Sequence, residues 1–173
     1  MKKTNFSIEE EHTQMVKKLV KSGQTILDEM TPEHWRLLQH AVFNGLLAAE
    51  RMNGVKKQVI YQKDLGIELV VKGKLPEGLT AEKCHLLHMA IGVFGEAAEL
   101  MESTYAHVNN NTPLDRKNTV EESGDIEFYL KGHRIATGIT RAEILAENVS
   151  KLNARYPGFN YSDIAAQARA DKA

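Results

Sequence analysis

Residues 80–107, TAEKCHLLHMAIGVFGEAAELMESTYAH, carry the most regular pattern in the chain. Leu87, Ala90, Ile91, Phe94, Ala98, Met101 and Tyr105 recur at the 3.6-residue spacing of one helical face, and Thr80 stands where a capping residue belongs. The spacing predicts a helix from about Ala81 to His107, broken by Asn109-Asn110-Asn111-Thr112-Pro113. Asn118 with Glu121 has capping-box spacing and opens a second helix, which Gly138 stops near Thr137. Thr140 with Glu143 caps a third, which ends at Tyr156-Pro157-Gly158, and the Ala-rich tail from Asn160 to Ala173 reads as a short helix. Short polar connections make successive helices antiparallel neighbours. The expectation is an all-α protein with a four-helix-bundle-type core from about residue 80 onward.

Upstream, Ser7 with Glu10 caps a helix bearing Met15, Val16, Leu19 and Val20 on one stripe, with Gly23 as its stop. Thr31-Pro32 starts another, whose buried face is Trp35, Leu38, Val42, Leu46 and Ala49 and which ends near Met52. Residues 54–78 are the least helical. Val59-Ile60-Tyr61 and Ile67-Glu68-Leu69-Val70-Val71 suit a short β-hairpin at about residues 58–72, or an ordered loop. The reading is a single domain: N-terminal helices and an irregular segment over 1–79, a catalytic helical core over 80–160, and a tail over 161–173.

Composition narrows the class. Hydrophobic residues make up 42% of the 173, enough for a core that needs no disulfide or metal staple. Lys plus Arg number 22 against 23 Asp plus Glu, a net charge of −1 that supplies no basic field for nucleic acid. Lys2-Lys3 and Lys56-Lys57 are too short to make a local patch. The lone cysteine, Cys84, cannot close an internal disulfide, which suits a reducing cytoplasm. No apolar run approaches the roughly 18 residues of a membrane span, and the polar start is no signal peptide. No membrane and no nucleic-acid partner are expected.

Glu96 and Glu99 lie three apart on one helix, and Glu122 and Asp125 three apart on the next, so each pair presents two carboxylates on one face. Either pair alone reads as a solvated surface, and Glu99 with Glu102 is another such pair. The apolar setting of Glu96 and Glu99, between Met89–Phe94 and Leu100-Met101, argues for more. Gly92, Gly95 and Gly124, poor helix residues, suggest close helix–helix approach. Four converging carboxylates cannot all stay ionised unaided, and a divalent cation resolves the conflict. An all-oxygen donor set with open positions is what Mg²⁺ prefers. On the third helix Asn148, Lys151 and Arg155 form one stripe at i, i+3 and i+7, fit to meet phosphate oxygens or to follow the helix dipole. Cys84, His85 and His88 are too few for a closed zinc site, Trp35 reads as core or interface, and Glu121 as a capping partner.

Glu96-Ala97-Ala98-Glu99, 22 intervening residues, then Glu122-Ser123-Gly124-Asp125 resembles the ExxE…ExxD signature of the all-α nucleoside triphosphate pyrophosphatases, the MazG-like superfamily. Asn148-Val149-Ser150-Lys151-Leu152-Asn153-Ala154-Arg155-Tyr156-Pro157 is similar to the family's N-x-x-K-L-x-x-R-Y-P ending. The likeness covers about residues 80–160; Ser123 and Glu127 are polar where relatives more often carry an aliphatic residue. It implies a Mg²⁺-dependent hydrolase, with Mn²⁺ as a substitute, that cuts nucleoside triphosphates between the α and β phosphates. By the same resemblance Glu96, Glu99, Glu122 and Asp125 hold metal or orient the attacking water. Lys151 and Arg155 grip phosphate with Asn148 nearby, in a homodimer or dimer of dimers. The rival readings are a non-catalytic nucleotide-sensing protein on the same scaffold and a purely structural helical oligomer.

Overall fold

A computed structural model describes residues 7–66 and 77–169. The elements are α1 (Ile8–Leu19), α2 (Gly23–Glu29), α3 (Pro32–Val59), α4 (Ala81–Asn110), α5 (Arg116–Thr137), α6 (Arg141–Arg155), a 3₁₀ turn (Pro157–Phe159) and α7 (Asp163–Ala168). No strand occurs among the described residues, so the all-α expectation holds. The first arm of the expected hairpin is instead the last turn of α3 and the residues just after it, while residues 67–72 lie outside the described residues. No described helix is long and apolar enough to cross a membrane.

The helices sort into two compact units, one of α3, α4 and α5 (Pro32–Gly138) and one of α1, α2, α6 and α7. The unit that carries the four candidate carboxylates therefore begins at Pro32 rather than near residue 80, and it holds three helices. α6, expected in the same core, belongs to the other unit.

In the three-helix unit α4 packs against both α3 and α5. Thr80 caps α4 by accepting from the Lys83 amide at 3.3 Å, and Asn111 ends it in the left-handed conformation that asparagine tolerates. α5 starts earlier than the spacing suggested. Its cap is Asp115, which accepts from the Asn118 amide at 3.0 Å, so Asn118 falls within the first turn and Glu121 caps nothing. Gly138 closes α5 at φ +72, as expected of a C-terminal glycine. Gly92 sets the α4–α5 approach, since a Cβ there would overlap the Tyr129 ring; Gly132 serves in the same way beneath the Met89 sulfur. Gly124, by contrast, faces open space, and Gly95 lies against the Lys56 ammonium.

In the other unit α1 packs on α6, burying Met15, Val149 and Tyr156. Both expected capping boxes are present, Ser7 with Glu10 and Thr140 with Glu143. Gly23 does not stop α1, which ends at Leu19; Ser22 caps a further short helix that Gly23 begins.

Candidate functional site

α3 supplies a side of the site that the spacing of acids did not announce. Its stripe continues past Ala49 to Asn53 and Lys56, at i+4 and i+7, and so turns both toward α4. There the four residues pair in rungs. Asn53 Nδ2 donates to Glu99 Oε1 at 3.3 Å, and Lys56 Nζ stands 3.6 Å from Glu96 Oε1. Lys56 is only 4% exposed and also lies 5.2 Å from the centroid of the Tyr129 ring. Asn53 Oδ1 is buried without a hydrogen-bond partner.

α5 brings Glu122 and Asp125 to the same place. One carboxylate oxygen each of Glu96, Glu122 and Asp125 lie within 4.8 Å of one another. Glu122 is buried at 6% exposure and accepts from Asn118 Nδ2 at 2.8 Å, whereas Asp125 is exposed. Glu99, the fourth expected member, is exposed, accepts from Asn53, and stands outside the trio. Burial holds the Glu122 carboxyl above the ordinary carboxylate range, with Glu99, Glu96 and Asp125 adding to the rise and Asn118 opposing it. Burial raises Glu96 as well; Lys56 opposes this, while Glu99 and Asp125 reinforce it.

The donor set suits a hard divalent cation. Around an octahedral ion with oxygens at about 2.1 Å, neighbouring ligand oxygens stand about 3.0 Å apart and opposite ones about 4.2 Å, so the three carboxylates would draw together by up to about 2 Å on binding, a movement within reach of side-chain rotation. Three carboxylates and no sulfur or imidazole favour Mg²⁺, Mn²⁺ or Ca²⁺ over zinc. Glu96, Glu122 and Asp125 would hold the ion.

A hydrogen-bonded chain runs behind the cluster. Tyr129 OH meets Tyr61 OH at 3.2 Å, and Tyr61 OH meets His88 Nε2 at 3.1 Å. Burial, then the neighbouring Lys56 and His85, push the His88 imidazole below its ordinary value. Its role is packing and hydrogen bonding, in keeping with the reading of His88 as a packed helix residue.

A cleft of about 490 Å³ opens between α3 and α4, apolar along Phe43, Leu46 and Leu47 and polar along Glu50, Asn53 and Glu99. Glu99 thus faces the cleft from the edge of the acidic trio.

The basic stripe lies on α6, in the other unit. Asn148 Oδ1 and His12 Nε2 are 3.2 Å apart. Lys151 is half-buried beside a shallow depression lined by Ile139, Ile144 and Glu147, and the Arg155 guanidinium lies 5.9 Å from the Tyr156 ring centroid. Comparison with protein-family models, with curated proteins and with solved structures finds no match.

Proposed function

We propose that the protein is a divalent-cation-dependent nucleoside triphosphate pyrophosphohydrolase of the MazG-like group, working in the cytoplasm on the nucleotide pool. The observation that carries the reading is the convergence of Glu96, Glu122 and Asp125, from two helices, within 4.8 Å. The net reaction adds water at the α phosphorus and breaks its bond to the α,β-bridging oxygen. Pyrophosphate leaves with that oxygen, and a proton is released. Mg²⁺, or Mn²⁺ in its place, supplies Lewis acidity toward phosphate oxygens. Glu96, Glu122 and Asp125 are the ligands in this reading. Glu99 is free of the trio, held by Asn53, and is the carboxylate best placed to orient the attacking water. The resemblance assigns phosphate binding to Asn148, Lys151 and Arg155, and that assignment is tested apart from the carboxylates. The direct experiment measures pyrophosphate release from a panel of nucleoside and deoxynucleoside triphosphates, with Mg²⁺ and with EDTA. Release that EDTA leaves intact refutes the cation dependence, and no release from any member refutes the hydrolase.

One observation favours a non-catalytic alternative. The Lys56 ammonium already offsets part of the acidic charge, as it would in a cluster built only for structure or sensing. A thermal shift with nucleotide but no pyrophosphate release would select the sensing reading.

The same proposal includes a homodimer or dimer of dimers. Val120 and Ile135 are each 70% exposed and Phe128 is 66% exposed on α5, with Gly124, which meets nothing in its own chain, between Val120 and Phe128. A second copy covering this stripe would also explain a glycine there.

A further inference from the structure

Among the described residues Lys56 is the only buried lysine or arginine. A buried ammonium is costly unless an opposite charge faces it, and here the facing charge is Glu96 at 3.6 Å. The position is built rather than incidental. Glu96 faces the ammonium on one side and the Tyr129 ring lines another at 5.2 Å from its centroid. Tyr129 in turn is seated by Gly92 and tied through Tyr61 to His88. Glu96 is at once the partner of this ammonium and a member of the converging trio.

We propose that Lys56 is the built-in counter-ion of the acidic cluster, which keeps Glu96 in place until a divalent cation takes that carboxylate over, and which thereby sets how tightly the cation binds. The inference rests on the cation reading given above. Its physical basis is competition. With only the ammonium present, one positive charge offsets the mutual repulsion of Glu96, Glu122 and Asp125 and keeps them gathered. With the cation bound, the ammonium and a doubly charged ion share one carboxylate and repel each other. At roughly 5 Å in a partly buried setting, that repulsion is enough to weaken binding about tenfold or more. The protein would trade affinity for a cluster that is gathered before the cation arrives.

The test measures Mn²⁺ affinity by titration calorimetry and by electron paramagnetic resonance. Wild type, Lys56→Met, Glu96→Gln and the double variant are compared, and each is also unfolded in urea with EDTA and with excess Mn²⁺. Lys56→Met is expected to be less stable than wild type in EDTA yet to bind Mn²⁺ about tenfold more tightly. In the Glu96→Gln background the same substitution should tighten binding less than in wild type, because competition for the Glu96 carboxylate is gone and only the direct repulsion remains. A purely structural lysine would not tighten the site. Equal or weaker Mn²⁺ binding by Lys56→Met, beside clear binding by wild type, overturns the counter-ion role and leaves the cation reading standing. Absence of Mn²⁺ binding by wild type removes the cation reading itself, and this inference with it. A Lys56→Met chain that unfolds in EDTA but folds with Mn²⁺ supports the proposal. One that is unfolded in both overturns it, since the ammonium would then be a packing element that no cation replaces.

Discussion

Glu122 pairs deep burial with one hydrogen bond from Asn118 and three other carboxylates that raise its affinity for a proton. A carboxyl group whose folded pKa lies above its unfolded value binds more protons folded than unfolded, so stability falls as pH rises through that window. Glu122 and Glu96 are both of this kind, and the native state should recover stability as pH drops from neutrality toward the ordinary carboxylate range. We therefore expect Glu122→Gln, which keeps the acceptor for Asn118, to equal or exceed wild type in EDTA at about pH 7.5, with the gap narrowing by about pH 5. Urea midpoints at the two pH values check this, and a variant clearly weaker at the higher pH contradicts it. Mg²⁺ should reverse the order: a hundredfold excess over Kd stabilises wild type by about 2.7 kcal/mol, most of which Glu122→Gln should lose. The basic stripe is tested separately. Lys151→Ala should reduce kcat/KM by about 2–5 kcal/mol in transition-state terms with little change in Tm. Near-wild-type kcat/KM would remove Lys151 from the site.

Close approach of α4 and α5 depends on two glycines with different neighbours. A methyl at Gly92 meets the Tyr129 ring, which is buried and hydrogen-bonded through its hydroxyl, so Gly92→Ala should cost about 1–3 kcal/mol. Gly132→Ala should cost less, because the Met89 thioether can swing aside. Gly45 in α3 has only the Met101 methyl at 3.5 Å, so Gly45→Ala should gain about 0.5–1 kcal/mol from helix propensity. Thermal melts of the three rank these expectations, and a harmless Gly92→Ala would show that α4 and α5 are not held at this distance. The same elements show what was legible beforehand. Ser7, Thr80 and Thr140 accept from amides three residues on, and Gly138 ends α5 through its own positive φ, so these caps could be read from local sequence alone. Asp115 and Asn118 are both good caps in one stretch; here the Asn118 backbone N–H donates to Asp115 while its side-chain Nδ2 donates to Glu122, which leaves Asp115 as the cap. The C-terminal part of α3 was missed because Gly54 reads as a break. Contacts of Asn53 and Lys56 with α4 carry the helix on to Val59. Lys56 and Lys57 read only as a pair too short to make a patch, yet adjacent helical residues point about 100° apart, and only Lys57 is exposed. Three acids of the site were legible from their i, i+3 spacing. That Glu99 stands apart depends on how α4 is rotated against α5, which spacing does not record.

At the scale of the whole molecule, burial is sparse for the apolar content. Among the described residues seven hydrophobic side chains are buried, while Leu37, Phe43, Val120, Phe128 and Ile135 are among those left exposed. If a second copy covers the α5 stripe, light scattering should find a dimer or larger at micromolar concentration, with more than about 2,000 Å² buried. Phe128→Asp should shift it toward monomer while helical content persists, and a wild-type monomer would sink the idea. The division of the chain into units has a further consequence, for synthesis. The α3–α5 unit is one unbroken stretch, whereas α1 and α2 must find α6 and α7 across the whole of Pro32–Gly138. On a ribosome the unbroken unit is available first, and α1 waits on the order of ten seconds for the helix it packs against. Through that interval Met15, which ends 1% exposed, has no α6 to cover it. The nascent chain is therefore most open to chaperones, and to misassembly, around α1.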